Sequence, residues 1–163
     1  CDIVIVSGGS SVGARDFNID VITALEDSEI LFHGISISPG KPTILARVGS
    51  KAFWGLPGHV VSAMVVFSRI VKPFIEHVSG HADVHRKKIR LTAKLSRGLA
   101  SAQGRVDYVR VRLTETDGVR WAEPVLGKSA LLNTMVKADG LIEIDINTEG
   151  LDKGTEVFVV PLD

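Results

Sequence analysis

Seven residues near the start of the chain, Ser7-Gly8-Gly9-Ser10-Ser11-Val12-Gly13, combine three glycines with three serines directly after an apolar run. Small residues let backbone N–H groups crowd around an anion, and the serine hydroxyls add donors. The same composition also suits a glycine-rich turn that merely redirects the chain. The spacing misses G-x-G-x-x-G, and no Lys-Ser/Thr pair follows Gly13, so neither the dinucleotide fingerprint nor a Walker A loop is present. Asp16 closes the segment. It is a carboxylate placed to hold a hydrated metal ion or steer a reacting group, and equally a good cap for the helix that follows. In Ser38-Pro39-Gly40-Lys41-Pro42 two prolines restrict the backbone around one lysine. Its ammonium is a point charge suited to phosphate or another oxyanion, or simply an exposed hairpin lysine. Gly55-Leu56-Pro57-Gly58-His59 opens a long apolar stretch and is a third place where a backbone can approach an anion. A lone His59 there reads as a capping or packed residue rather than a ligand.

Other patterns carry less. His77, His81 and His85 recur at intervals of four but straddle a change in sequence texture, and read as a connector. Arg86-Lys87-Lys88-Ile89-Arg90 is basic, yet acidic neighbours and few aromatics favour a solvated face over RNA. Gly127-Lys128-Ser129 lacks the glycine five residues earlier that a Walker loop needs, since Ala122 stands there. Leu131, Leu132, Met135 and Val136 read as one short core helix.

These residues need elements to position them. Ile3–Val6 is a β-branched run without polar alternation, expected of a strand buried on both faces in a parallel sheet. Phe17, Val21, Ile22 and Leu25 predict a helix behind Asp16. Strand, glycine loop and helix make half of a βαβ unit. Strands are expected over Ile30–Ile37, Thr43–Val48 and Lys51–Leu56, then a buried helix over Val60–Val78 kinked at Pro73. From about residue 83 the charges become denser and the strands shorter: Lys88–Leu95, Asp107–Leu113, Val119–Ala122, Leu141–Ile146 and Glu156–Val160. Val109, Val111 and Leu113 alternate with Arg110 and Arg112, as in a strand with one wet face. The reading is α/β over 1–82, followed by a small all-β, barrel-like domain over 83–163.

Composition narrows the function. The 163 residues carry 19 basic and 19 acidic side chains, a balance that argues against a nucleic-acid partner. No apolar run approaches the roughly 18–20 residues of a membrane span, and no secretion signal is visible. One cysteine, Cys1, excludes a disulfide framework, and the cytoplasm is the expected compartment. The chain opens inside a strand without an initiator Met, which is expected of a piece of something longer.

In order and spacing, Ser7–Gly13 with Asp16, Pro39-Gly40-Lys41-Pro42, and Gly55-Leu56-Pro57-Gly58 with Val61-Ser62-Ala63 resemble the MoeA family, the molybdopterin molybdenumtransferases related to the gephyrin E domain. Gly104-Arg105, Asp107-Tyr108, Arg110 and Ala138-Asp139-Gly140-Leu141-Ile142 resemble that family's C-terminal β module, so the resemblance spans nearly the whole chain. It implies the C-terminal part of a MogA-like three-layer α/β domain, then the β domain, in an elongated homodimer. It also implies insertion of molybdate into adenylylated molybdopterin with release of AMP, Mg²⁺ taking part, and contact with a MogA-type adenylyltransferase. The alternative is a pterin-binding or scaffolding module without catalysis.

Carried onto this sequence, the resemblance makes Ser7, Gly8, Gly9, Ser10, Ser11 and Gly13 holders of pterin-nucleotide phosphates. Asp16, the acidic residue of a G-x-x-D motif, becomes a catalytic and metal-binding residue. Lys41 becomes the lysine of a P-G-K-P turn, flanked by Pro39 and Gly40, and Gly55, Pro57 and Gly58 form the neighbouring wall. The chain departs from the family at His59-Val60, where Asn-Pro is frequent, and at Ser38, where a cation is frequent. The resemblance therefore leaves the choice of molybdate over tungstate open. It also implies further domains before Cys1 and no catalysis by these residues alone.

Overall fold

A computed structural model describes residues 1–8, 17–81, 89–127 and 132–162. The chain divides into two compact units, Cys1–His81 and Ala82–Asp163.

In the first unit β1 (Ile3–Ser7), β2 (Ser28–His33), β4 (Ile44–Val48) and β5 (Lys51–Leu56) form one sheet in the order β1-β5-β4-β2, while β3 is the two-residue strand Ile37–Ser38. β1 is parallel to β5, and β4 is antiparallel to both β5 and β2. The period of two along each strand sorts its side chains between two cores. Val4, Val6, Ile44, Ala46 and Phe53 pack with Ile22 of α1 (Phe17–Thr23). Leu45, Trp54 and Leu56 pack on the opposite face with Val66, which ends α2 (Val60–Val66), and with Val71 in the helical run that continues it. The result is the three-layer α/β arrangement expected from the sequence. On the second face Trp54 meets Phe32 and Phe74 edge to face, with centroids 6.0 and 5.4 Å apart.

Several expectations are corrected in detail. Among the described residues β1 pairs on one side, with β5, and Ile5 is exposed, where a strand buried on both faces was expected. The strand expected over 30–37 ends at His33, and a bulge between Ile30 and Phe32 turns Leu31 out to solvent. On α1 the buried stripe is Asn18 and Ile22, one turn apart, while Phe17, Val21 and Leu25 are exposed. The helix expected over 60–78 buries only part of its surface, with Val60, Met64, Phe67 and Val78 exposed. Its ladder widens to a π-helical turn over Phe67–Val71 before α3 (Lys72–Val78), and the Lys72 N–H donates to the Phe67 carbonyl. Pro73 has no N–H to give, and in a regular helix its ring would press on the carbonyl of Arg69; the wider turn just ahead of it relieves that conflict.

In the second unit β6 (Leu91–Leu95), β8 (Val106–Thr116), β9 (Val119–Pro124), β10 (Gly140–Ile144) and β12 (Glu156–Pro161) run in the order β10-β12-β6-β9-β8, and β8 pairs back onto β10. The sheet is thus a closed five-stranded barrel, filled by Ala93, Leu95, Val111, Ala122, Ile142, Ile144, Val157 and Val159. β8 and β9 are joined through Asp117 and Gly118, both at positive φ (53° and 71°), a two-residue turn that matches the twist of the strands. β10 stops at Ile144 rather than Ile146, because the Asp145 carboxylate accepts the Asn147 N–H at 2.9 Å and turns the chain.

Two further expectations shift here. Arg110, assigned to the wet face of β8, is half-buried: Val125 donates to its carbonyl at 2.9 Å, and its own Nη2 donates to the Gly127 carbonyl at 3.0 Å. Burial holds the guanidinium below its ordinary pKa. The short core helix is α4 (Asn133–Val136), in which Thr134 and Met135 are buried while Leu132 and Val136 are exposed; Leu131 lies outside the described residues.

Outside the barrel β7 (Leu99–Ala100) pairs with β11 (Gly150–Leu151). Asp107, buried at the start of β8, holds this excursion down. It accepts the Ser101 hydroxyl at 2.7 Å and pairs with Arg105 Nε at 2.9 Å. The Gly104–Tyr108 segment that resembles the family's β module is therefore a clasp. Asp107→Ala strands a hydroxyl and leaves a guanidinium without its counter-charge, and is expected to lower unfolding free energy by about 2 kcal/mol, measured by urea titration.

Candidate functional site

Strand register brings the three motifs of the first unit together. Val6 of β1 pairs with Gly55 of β5, and Gly55 pairs with Ile44 of β4. β1 and β5 run in parallel and end at this edge, whereas β4 runs the other way and begins here. The chain therefore leaves β1 into Ser7-Gly8, leaves β5 into Pro57-Gly58, and enters β4 from Pro39-Gly40-Lys41-Pro42, all at one end of the sheet. That end of an open α/β sheet is where such folds bind ligands.

The contacts are close. Ser7 Oγ donates to the Pro57 carbonyl at 3.2 Å, and the Gly8 N–H donates to the Leu56 carbonyl at 3.1 Å. Both donors, expected to face an anion, join the two glycine segments to each other. Gly58 lies against Gly8: a Cβ added at Gly58 would sit 3.4 Å from Gly8 Cα. Gly55 and Pro57 are buried, Gly58 is exposed, and Gly8 lies between these extremes. Gly9, Ser10, Ser11, Gly13 and Asp16 are outside the described residues.

The lysine turn is fixed from below. Gly40 has φ 128°, and a Cβ there would fall 2.6 Å from Val66 Cγ2 and 2.8 Å from Ile37 Cδ1, so no larger residue fits. Thr43, fully buried, donates its hydroxyl to the Gly40 carbonyl at 2.7 Å. The Lys41 carbonyl accepts N–H groups from Ile35 and Thr43, each at 2.9 Å. With the turn held at three points, Lys41 presents its side chain at the exposed surface. Pro39 follows a cis peptide bond and is half-buried. His59 stands at the N-cap of α2, exposed, and its side chain makes no cap hydrogen bond, so it does not cap the helix in the way its sequence suggested.

Two residues the sequence reading passed over complete the base of the site. Thr43 is one. Asn18 is the other: 7% exposed on α1, it donates Nδ2 to the Gly8 carbonyl at 2.7 Å. Rotating the apolar stripe of α1 by one residue would have put Asn18 on the buried face with Ile22 and flagged a buried amide in need of a partner.

A family described as a probable molybdopterin binding domain matches residues 1–77, and one described as the MoeA C-terminal region (domain IV) matches residues 92–162. The chain belongs to the MoeA family. A protein of Drosophila melanogaster called molybdenum cofactor synthesis protein cinnamon is 36% identical over 96% of this chain and 26% of its own length. A molybdopterin molybdenumtransferase of Haemophilus influenzae is 31% identical over 98% of this chain and 39% of its own. The crystal structure of a molybdopterin biosynthesis MoeA protein from Pyrococcus horikoshii superposes with a TM-score of 0.76 at 34% identity, over 98% of this chain and 37% of that one. The chain thus spans about a quarter to two fifths of the length of these MoeA relatives.

The Mg²⁺ that the resemblance implies would fall to Asp16, outside the described residues. Among the described residues no three His, Cys, Asp or Glu side chains come together around a common point. No helix among them is long and apolar enough to cross a membrane.

Proposed function

We propose that this chain supplies the pterin-handling edge and the β domain of a molybdopterin molybdenumtransferase, which inserts molybdate into adenylylated molybdopterin and releases AMP. The observation that carries the proposal is the meeting of Ser7-Gly8, Lys41 and Pro57-Gly58 at one end of the sheet, with Lys41 exposed on a turn held at three points. Molybdate and the pyrophosphate of the substrate are both anions, so bringing them together costs electrostatic repulsion. A fixed ammonium beside glycine backbone lowers that cost. Breaking the phosphoanhydride is then a matter of position and charge. In this proposal Ser7, Gly8, Gly9, Ser10, Ser11 and Gly13 take the phosphates, and Asp16 serves the insertion step. Residues 1–82 act as part of the molybdopterin-binding domain and 83–163 as the C-terminal domain. The working form is a homodimer supplied with adenylylated substrate by a MogA-type adenylyltransferase.

The test is turnover by the complete polypeptide given adenylylated molybdopterin and molybdate, with AMP followed by chromatography and protein-bound molybdenum by elemental analysis. AMP release matched by bound molybdenum, and a fall of about 10²-fold in both for Asp16→Asn, is the expected result. Tight pterin binding with no AMP released would instead identify a binding or scaffolding module.

A further inference from the structure

The lysine turn contains one peptide plane that no side chain of its own holds. Gly40, with φ 128°, precedes the Gly40–Lys41 bond, and a glycine leaves the plane after it free to turn over. Thr43 is what fixes it. Thr43 is fully buried and held on both sides: its N–H donates to the Lys41 carbonyl at 2.9 Å, and its own carbonyl accepts the Gly34 N–H at 2.8 Å. From that place its hydroxyl donates to the Gly40 carbonyl at 2.7 Å. The Gly40–Lys41 peptide is trans, so its N–H points opposite to its C=O. With the carbonyl drawn to a buried hydroxyl, the Lys41 N–H is directed away from the core, on the side where Lys41 is exposed. Among the described residues this N–H has no hydrogen-bond partner.

We propose that Thr43 is a positioning residue for the anion edge: its hydroxyl selects the peptide orientation in which Lys41 offers two donors, its backbone N–H and its ammonium, to one tetrahedral oxyanion. An ammonium on a flexible stem is a point charge without direction. A fixed N–H beside it supplies the direction. Without the hydroxyl the buried Gly40 carbonyl lacks its partner and does better facing water. The plane that turns over to allow this carries the N–H inward and puts a carbonyl oxygen, the negative end of the peptide, where the anion would sit.

The proposal rests on the anion-binding reading above, and its test observes the Lys41 amide itself. The complete polypeptide is labelled with isotopic lysine for NMR, and the Lys41 amide signal is assigned by its absence in Lys41→Arg. Sodium molybdate and AMP are titrated separately, which tells apart the two sources of a tetrahedral oxyanion. A saturable shift of this signal with either anion is the expected result. Thr43→Val keeps the shape and loses the hydroxyl; it should raise the apparent Kd about tenfold and shrink the shift at saturation. Thr43→Ser keeps a hydroxyl and should restore wild-type affinity. A threonine that only stabilises the fold would lower the urea midpoint of Thr43→Val and leave the Lys41 signal and its affinity unchanged, which overturns the proposal. A Thr43→Ser protein as weak as Thr43→Val also overturns it. If Thr43→Val does not fold, wild type and Thr43→Ser still decide, since a Lys41 amide unmoved by both anions overturns the proposal. Molybdenum insertion by a protein with such an unresponsive amide would leave the transferase reading standing. A responsive, Thr43-dependent amide in a protein that inserts no molybdenum would overturn the transferase reading and leave the oxyanion site.

Discussion

Lys41→Ala in the complete polypeptide is expected to lower molybdenum insertion about 10²–10³-fold, the loss that follows removal of one preorganised charge-stabilising donor. The unfolding midpoint should stay within about a degree, because the side chain is exposed and the turn is held by backbone and by Thr43 rather than by the ammonium. This separation makes the prediction sharp. Gly40 is locked by Val66 and Ile37, the Lys41 carbonyl accepts two N–H groups, and none of these contacts uses the lysine side chain. The charge is thus delivered by a scaffold that does not depend on it. Lys41→Arg keeps the charge but spreads it over a planar fork, and should recover part of the rate and not all of it. Turnover of Lys41→Ala at the wild-type rate would remove the lysine from the chemistry and leave the turn as a structural hairpin.

The largest expected effect on stability lies in the other unit. Gly140 opens β10 and is paired on both sides, with Val111 of β8 and with Pro161 of β12. A methyl group there would fall 2.5 Å from Val159 Cγ1 and 2.7 Å from the Val160 carbonyl oxygen. A side chain can turn away, but a carbonyl in a strand ladder moves only with its strand. Gly140→Ala must therefore push β12 off β10 at the point where the barrel closes, and is expected to cost about 3 kcal/mol. Urea unfolding checks it: the midpoint should fall with the slope unchanged. A loss below 1 kcal/mol would mean that the seam yields locally and that closure is looser than its register indicates.

Much of this architecture was legible beforehand. Strands β4 and β5 announce themselves by apolar runs between Pro-Gly and Gly-Ser punctuation, and the Asp117-Gly118 hairpin by its turn chemistry. The three motifs at the sheet edge were visible as motifs, because glycine and proline mark places where a backbone does something unusual. Their meeting was not visible, since it depends on register across β1, β5 and β4, which no local pattern encodes. The stripe on α1 is hidden from the sequence for a related reason. Phe17, Val21 and Leu25 are apolar enough to claim the core, yet packing chose Asn18 and Ile22, and the amide was accepted because Gly8 offered it a carbonyl. Alternation puts Arg110 on the wet face and cannot foresee that Val125–Gly127 folds across it. The same applies to Pro73: its ring announces a disturbed helix, but whether the ladder bends or widens is settled by tertiary contacts.

The place of β12 in the barrel sets an order of events during synthesis. It lies between β10 and β6, so Leu91–Leu95 and Gly140–Ile144 each wait for a neighbour that is the last of the five barrel strands to be made. While residues 156–161 are still inside the ribosome, both strands present open edges, the condition in which chains pair with the wrong partner. A pause in translation before Glu156 would lengthen that exposure, and a chain released there would carry two unprotected edges in place of a closed ring. The vulnerable interval of this unit is the synthesis of Glu156–Pro161.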